Sequence, residues 1–327
     1  MPAQQQQRIF ITGAAGYIGS RVTEFALAAG YAVRGLARSE AGRAKLRALG
    51  AVPVAGTLAS LDLLRAEAAQ ADIVMHLADA WIDDFSQPYD KVVRIDGAAV
   101  DAMAAGLAAS GSPRKLFVGT SGIGVVAPDA AGGETDETAP ENPNPFNGRI
   151  KCEKHILSKG GVDGVRTCIM RLPPFVYGRG GSGVWLFMSV FAKTGAVVRV
   201  GDGLGRTTVV HVDDAARAYV LAADRAPDRT QNIYNLSSSA SVTFREFTDA
   251  IAATMGLPVL EMGAAEAAEK ASPLIAGFLS DRVRGSGDKA RRELGWNPRE
   301  VSIVEDIRRG SYVQVAKELA AAAGSGA

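Results

Sequence analysis

The amino-acid sequence predicts an α/β fold, with a doubly wound parallel sheet and a smaller C-terminal lobe. Short apolar runs alternate with helical patterns through the first half of the chain, which is the order of elements that builds parallel βα units. The first of these runs leads directly into a turn with three glycines. After Arg171 the alternation weakens and turn residues become frequent, at 178–183 and 201–205. The second half therefore predicts a lobe outside the sheet.

The individual elements follow from hydrophobic periodicity and from turn residues. Predicted strands lie at 8–11, 32–36, 52–55, 73–77, 116–119 and 166–171. Predicted helices lie at 16–29, 40–49, 61–69, 89–109 and 149–158. Segment 122–147 contains four prolines and a Gly-Gly pair and is predicted to be a surface loop. We expect the chain to return to the sheet once, through 209–211, 213–223 and 232–236, and to end in a fraying alanine-rich helix at 316–327.

The first strand runs into glycines at 13, 16 and 19. Gly13 permits a tight strand-to-helix turn, Gly16 lets the backbone approach a phosphate, and Gly19 lets the helix pack on the sheet. The N-terminus of the following helix attracts an anion. The pattern predicts a Rossmann-type domain that binds a dinucleotide, formed by 1–171 with the return segment 207–240, and a substrate-binding lobe formed by 172–206 and 241–327.

Composition limits the classes of partner. The chain has 327 residues, of which 47% are hydrophobic, and a formal net charge of +1. This balance does not predict binding to nucleic acid or to an anionic membrane surface, and no stretch approaches the roughly 18 apolar residues of a membrane span. We expect a cytoplasmic protein with a small-molecule substrate. Cys152 and Cys168 lack the paired spacing of metal or redox sites and are expected to be reduced core residues, so no metal is expected.

Taken together, these residues resemble the extended short-chain dehydrogenase/reductase family, also called the NAD(P)-dependent epimerase/dehydratase family, over nearly the whole chain. Besides T-G-A-A-G-Y-I-G at 12–19, the matching segments are D-I-V-M-H-L-A-D at 72–79, T-S-G-I-G at 120–124, R-L-P-P-F-V-Y-G at 171–178, V-V-H-V-D-D-A-A-R-A at 209–218, Y-N-L-S at 234–237 and K-A-R-R-E-L-G-W-N-P at 289–298. The resemblance implies that the cofactor is bound by Gly13, Ala15, Gly16, Tyr17, Ile18, Gly19, Arg38, Leu77, Ala78, Lys151 and Pro174.

The catalytic signature of that family is a tyrosine four residues before a lysine, with a serine or threonine after the fifth strand. Counting back four residues from Lys151 leads to Asn147, which cannot donate the proton. The resemblance implies that Lys151 binds the nicotinamide ribose, the alternative being a solvated lysine. Ser121 is the expected carbonyl-binding hydroxyl, with Thr120 as the alternative; both could instead satisfy backbone groups at the end of the strand.

The missing phenol leaves the proton donor open. The resemblance places Tyr177 near the nicotinamide and the substrate, so Tyr177 is a candidate substitute. Three carboxylates after the fourth strand, Asp79, Asp83 and Asp84, are weaker candidates. Water, or the hydroxyl of Ser121, could also protonate an alkoxide, so the chain is predicted to be an enzyme with an atypical active site.

The end of the second strand determines the choice of cofactor. An NAD enzyme places an aspartate there to bind the adenosine ribose, whereas this chain has Ala37, Arg38 and Ser39. A guanidinium binds a 2′-phosphate through two hydrogen bonds. We therefore expect NADP, with NAD as the less favoured cofactor.

The leading hypothesis is an NADP-dependent oxidoreductase acting on a small, hydrophobic carbonyl or alcohol. The apolar wall expected for such a substrate consists of Trp81, Phe85, Phe175, Trp185, Phe187 and Phe191. The first alternative is a non-catalytic NADP-binding sensor. The second is a nucleotide-sugar epimerase or dehydratase, which is disfavoured because Thr207 stands where relatives commonly have a phosphate-binding arginine and Arg206 lies one place early. The resemblance also implies a homodimer formed through the helices at 89–109 and 149–158.

Overall fold

The structure is a computed structural model that describes residues 6–83 and 87–324. Its strands in the described part of the chain are β1 (Arg8–Thr12), β2 (Ala32–Ala37), β3 (Val52–Ala55), β4 (Ile73–His76), β5 (Leu116–Gly122), β6 (Arg166–Leu172), β7 (Phe175–Tyr177), β8 (Val197–Val200), β9 (Arg206–His211), β10 (Gln231–Asn235), β11 (Ser239–Thr243) and β12 (Val259–Met262). The six strands predicted in the first half all form, with ends that differ by up to three residues.

The α-helices alternate with these strands and continue into the lobe. They are α1 (Tyr17–Ala28), α2 (Glu40–Leu49), α3 (Leu61–Ala69), α4 (Tyr89–Ala109), α5 (Arg149–Leu157), α6 (Ser182–Thr194), α7 (Val212–Arg225), α8 (Phe244–Met255), α9 (Ala264–Lys270), α10 (Pro273–Leu279), α11 (Asp288–Leu294), α12 (Ile303–Arg309) and α13 (Tyr312–Gly324). The long segment predicted as a loop contains only a short 3-10 turn at Ile123–Val125 and isolated bridges.

The main sheet has seven parallel strands in the order β10-β6-β5-β4-β1-β2-β3. β1 and β4 are neighbours, and the chain moves outward from this pair in both directions. The carboxyl ends of such a central pair open a crevice in which doubly wound sheets bind ligands. This confirms the predicted Rossmann-type fold class.

Helices cover both faces of the sheet. α1 packs against α7 on one face, and α3 packs against α4 on the other. The strands between them are continuous apolar runs, such as Ile73–His76, in which every residue is buried. Burial on both faces explains why these strands can be recognised in the sequence as continuous apolar runs.

The second half of the chain builds a lobe with its own core. A three-stranded sheet, β11-β9-β7, and a strand pair, β12-β8, pack with α6, α8 and α10. The prediction that 209–211 belongs to the main sheet is wrong, because β9 pairs with β7 and with β11. The chain returns through α7 and β10, which lies beside β6 at the edge of the main sheet.

Two further expectations concern the whole chain. Cys152 and Cys168 are both free and buried, and burial raises the pKa of each thiol to about 12. Among the helices of the described residues, none combines the length and the apolar character that crossing a membrane requires.

Candidate cofactor and active site

The glycine turn lies against the end of β4. Gly13 has a φ of 70°, and a Cβ added there would lie 2.7 Å from the backbone nitrogen of Ala78 and 2.9 Å from the carbonyl carbon of Leu77. A Cβ on Gly19 would lie 2.0 Å from the carbonyl oxygen of Gly13. The sequence therefore needs glycine at both positions, and the turn forms a cradle of bare backbone between β1 and β4.

The N-terminus of α1 opens into this cradle. Gly16 is its N-cap, no side chain caps the helix, and the first turn contains no acidic residue. Backbone N–H groups left without a cap, together with the helix dipole, favour a bound phosphate. The cradle and the open helix end fit a dinucleotide pyrophosphate. Ala15 lies in the same turn, and Tyr17 and Ile18 begin α1; their contact with the cofactor remains a prediction.

Tyr17 connects the glycine turn to the lobe. Its hydroxyl donates to the carbonyl oxygen of Gly178 at 2.8 Å, and the hydroxyl of Tyr312 accepts from the backbone N–H of Gly178 at 2.8 Å. The segment that follows Gly178 has left-handed φ values at Arg179 (53°) and at Ser182 (63°), the first residue of α6, and these values are costly for residues other than glycine. The two tyrosines help to hold this strained loop beside α1.

Two cations flank the end of β2. Arg38 is exposed and lies immediately before Ser39, which caps α2 by accepting from the N–H of Gly42 at 3.1 Å. Lys45, on the next turn of α2, donates to the carbonyl oxygen of Ala15 at 3.1 Å. Partial burial and the charge of Arg21 lower the pKa of Lys45. The region where the adenosine ribose of a bound dinucleotide would lie is therefore basic.

A cavity of about 760 Å³ lies beyond the carboxyl end of β5. It is bounded by the loop after β5, the start of α5, the segment after β6 and the chain after α10. Its apolar wall includes Trp81, Ile123, Phe146, Leu172, Pro174 and Phe278. Ser121, Asn147 and Arg149 lie among its polar residues, and so does Asp281, whose pKa is raised by burial.

Ser121 and Thr120 have different environments although they are neighbours on β5. The hydroxyl of Thr120 is bonded to the carbonyl oxygen of His76 at 2.9 Å and to the hydroxyl of Tyr219 at 2.7 Å. The hydroxyl oxygen of Ser121 is buried without a hydrogen-bond partner and belongs to a residue that lines the cavity. Of the two candidates, Ser121 is the one available to a ligand.

The inner face of α5 carries Arg149, Cys152, Glu153 and Ile156. Glu153 forms a buried ion pair with Arg171 of β6, at 2.6 Å, which fixes the rotation of the helix. Lys151 consequently lies on the outer face, where its side chain is 59% exposed and pairs with Asp90 at 2.8 Å. Lys151 is not among the described residues that line the cavity, and its contact with the cofactor remains a prediction.

Arg149 occupies the cavity side of the same helix. Its guanidinium donates to the carbonyl oxygen of Thr120 at 3.3 Å and to the carboxylate of Asp79. Burial disfavours its charge, but the neighbouring acidic groups, Asp79 first among them, together outweigh burial and raise the pKa of Arg149. Sequence analysis did not identify this residue. The signal that could have found it is its spacing of four residues from Glu153, which places the two side chains on one helix face.

Asn147 lines the cavity, but its side-chain oxygen accepts the backbone N–H of Arg149 at 3.1 Å. This hydrogen bond satisfies the first backbone N–H of α5, whose N-cap residue is Gly148. Asn147 therefore has a structural contact that explains an amide at this position, and no tyrosine is present among the described residues that line the cavity.

Tyr177 is not available as a substitute proton donor. Its hydroxyl donates to the carbonyl oxygen of Val301 at 2.7 Å, and its ring lies in the lobe core. Burial raises the pKa of this phenol. The expectation for Tyr177 is therefore wrong, because its side chain packs into the lobe and does not line the cavity.

Asp79, one of the predicted carboxylates, is paired with Arg149. Two histidines also have partners within the protein. His76 bridges Thr12 at 2.6 Å and Asp96 at 2.9 Å, and His211 accepts from the backbone N–H of Asp213 at 3.1 Å. Of the predicted apolar wall, Trp81 lines the cavity, whereas Phe175, Phe187 and Phe191 fill the lobe core and Trp185 is exposed. Asp84 and Phe85 lie outside the described residues.

One group of three potential metal ligands occurs in the described ranges, at His211, Asp213 and Glu300. Asp213 is bonded to Arg21 and Arg179, and Glu300 to Arg217. These carboxylates already have cationic partners, so the group has the character of a network of ion pairs.

The sequence matches the NAD dependent epimerase/dehydratase family over residues 9–237, and the chain belongs to that family, whose members are NAD(P)-dependent oxidoreductases and epimerases. An uncharacterized protein of Schizosaccharomyces pombe is 34% identical over 306 residues, which are 93% of this chain and 99% of that protein. A 4-hydroxy-2-methyl-3-oxo-4-farnesyl-3,4-dihydroquinoline-1-oxide ketoreductase of Stigmatella aurantiaca is 28% identical over 317 residues, 88% of this chain and 91% of that enzyme.

A similar solved structure is the UDP-glucuronic acid 4-epimerase of Bacillus cereus in complex with UDP-glucuronic acid and NAD. It superposes with a TM-score of 0.73 at 18% identity, covering 96% of this chain and 100% of the epimerase. This likeness establishes the fold. Family membership and the glycine cradle together indicate a nicotinamide cofactor.

Proposed function

We propose that this protein is an NADP-dependent oxidoreductase that acts on a small, hydrophobic carbonyl or alcohol. The observation that carries the proposal is the buried, unpartnered hydroxyl of Ser121 at the base of a largely apolar cavity. A buried hydroxyl without a partner is costly, and a substrate carbonyl or alcohol oxygen would satisfy it.

The lining of the cavity supports an apolar substrate. Aromatic, aliphatic and proline side chains form most of the wall, and Phe146 contacts both Trp81 and Phe278 at ring-centroid distances of 5.8 Å. Burial of apolar surface supplies the main affinity in sites of this kind. The ketoreductase relative of Stigmatella aurantiaca, by its name, also acts on a farnesyl-bearing ketone.

A nucleotide-sugar substrate has less support. Arg206 is exposed on β9 and Thr207 is buried, and neither is among the described residues that line the cavity. The guanidinium of Arg149 is already paired with Asp79. A second arginine, Arg282, also lines the cavity and is exposed, so binding of a diphosphate would depend mainly on that one cation.

The residues of the chain divide the work as follows. The glycine turn and α1 would hold the pyrophosphate, Arg38 and Lys45 would contact the 2′-phosphate, and Ser121 would orient the substrate oxygen. A nicotinamide cofactor, when bound, supplies or accepts the hydride. The apolar wall would exclude water from the reacting carbon, which strengthens the polar contacts made there.

The test is a panel of hydrophobic aldehydes and ketones assayed with NADPH, and the matching alcohols with NADP⁺, alongside UDP-glucose epimerisation. We expect turnover of carbonyls and none of the nucleotide sugar. Ser121→Ala should lower kcat by about 10²–10³-fold, as removal of an oxyanion donor does. Ser241→Ala, at an exposed position in the lobe, is the matched control. Cofactor binding without turnover on the whole panel would favour the sensor hypothesis.

A further inference from the structure

Arg149 and Ser121 lie on two adjoining elements, α5 and β5, that border the cavity. One N–H of the guanidinium donates to the carbonyl oxygen of Thr120 at 3.3 Å, and Ser121 is the next residue of β5. Both side chains line the same cavity. A positive charge and an unpartnered hydroxyl are therefore brought together by the end of β5 and the first turn of α5.

The guanidinium is held in place and remains charged. A second N–H group donates to the carboxylate of Asp79, while the other N–H groups, of the five that a guanidinium carries, have no acceptor among the described residues. An arginine cannot lose its proton in the physiological range. Arg149 can therefore donate further hydrogen bonds to a ligand, but it cannot serve as an acid.

The opposite face of α5 differs in each of these respects. Lys151 is exposed and pairs with Asp90, and it is not among the described residues that line the cavity. Of the two cations on this helix, Arg149 is the one that lines the cavity.

We propose that Arg149 is a catalytic residue that, together with Ser121, binds the carbonyl oxygen of the substrate and stabilises the negative charge that develops on it. This inference rests on the carbonyl chemistry of the proposed function. Hydride addition to the carbonyl carbon, with reduced nicotinamide as the donor, moves the π electron pair onto oxygen. The alkoxide then takes a proton from water, which yields the alcohol, hydroxide and the oxidised cofactor.

A fixed guanidinium suits this task. Preorganised donors aimed at developing charge in a water-poor site lower reaction barriers strongly, and loss of one such donor costs about 10²–10³-fold in kcat. The arrangement also gives a reason for the missing tyrosine. The charge on oxygen would be stabilised by a permanent cation, and the proton would arrive from solvent afterwards.

The experiment compares Arg149→Gln and Arg149→Lys with Arg309→Gln, at an exposed position of α12, in protein saturated with NADP⁺ or NADPH. Two probes are used: reduction of 2-decanone, and binding of decanoate, an anion of similar length, by calorimetry. For Arg149→Gln we expect kcat to fall by about 10²–10³-fold and decanoate affinity by about tenfold or more, the effect of one charge-assisted bond. The affinity for NADPH should be unchanged. Arg149→Lys should lie between, and Arg309→Gln should match the wild type.

Several results would overturn the inference. The proposed oxyanion site would be contradicted if the wild-type protein does not bind decanoate. It would also be contradicted if Arg149→Gln protein binds decanoate as tightly as the wild type. If Arg149→Gln fails to fold, Ser121→Ala provides the second variant and should also weaken decanoate binding; undiminished affinity there would count against the site. Decanoate binding that depends on Arg149, without turnover of any carbonyl, would support the oxyanion site and contradict the proposed reduction.

Discussion

Glu153 on α5 and Arg171 on β6 form an ion pair in which the side chains are 1% and 5% exposed, with atoms 2.6 Å apart. Because both charges are buried, the pair determines which face of α5 lies against the sheet. That rotation directs Arg149 toward the cavity and Lys151 toward solvent.

Removal of one partner should therefore be strongly destabilising. Glu153→Ala leaves the charge of Arg171 buried without its carboxylate, and we expect the free energy of unfolding to fall by about 3–5 kcal/mol. Urea denaturation followed by circular dichroism measures it. Arg65→Ala, which removes an exposed ion pair with Asp62 on α3, should change the same quantity by less than about 0.5 kcal/mol. Equal effects of the two substitutions would contradict the structural role of the buried pair.

The preference for NADP should depend on Arg38. Loss of a charge-assisted hydrogen bond to the 2′-phosphate is expected to weaken NADPH binding by about 1.5–3 kcal/mol, while NADH binding changes little. Titration of both cofactors against Arg38→Ala measures the difference. Arg47→Ala, at a position further along α2 that pairs with Glu40, is the control. Equal binding of NADH and NADPH by the wild type would reject the assignment.

Gly13→Val should abolish cofactor binding. Its φ of 70° is unfavourable for a branched side chain, and the added carbon would overlap the backbone of Ala78. Gly111→Val is the control, because nothing lies within 4 Å of a Cβ built there. Cofactor titration is combined with a melting curve for each variant. A folded Gly13→Val protein with undiminished affinity would mean that the pyrophosphate binds elsewhere.

We propose that the protein is a homodimer formed through α4 and α5. The outer faces of these helices carry Lys91, Arg94, Asp101, Lys151 and Lys154 in exposed positions, so this interface would be polar and sensitive to salt. Light scattering at micromolar concentration should give twice the mass of the chain at low salt, and Arg94→Glu should lower the dimer fraction. A monomer under these conditions would refute the proposal.

Local sequence predicted the main sheet well, because strands buried on both faces are continuous apolar runs. The same property explains why β9 was wrongly assigned to the main sheet. An apolar strand has the same sequence pattern whether it belongs to the main sheet or to the sheet of the lobe. The spacing from Asn147 to Lys151 could not predict which face of α5 lies against the sheet. That rotation depends on a pair of residues separated by 18 positions. Tyr177 bonds to Val301, which lies 124 positions further along the chain, so no local motif contains both residues.

The hydrogen bond from Tyr17 to Gly178, with Tyr312 on the other side of the same glycine, has a thermodynamic consequence. Tyr17, next to the turn that is expected to bind the pyrophosphate, and Tyr312, the first residue of α13, both bond to the same strained segment at Gly178. Fraying of α13 and opening of the glycine cradle are therefore energetically linked. A ligand at 100 times its dissociation constant stabilises the bound form by about 2.7 kcal/mol. Part of that free energy should therefore stabilise α13, far from the nucleotide, and slow its amide hydrogen exchange.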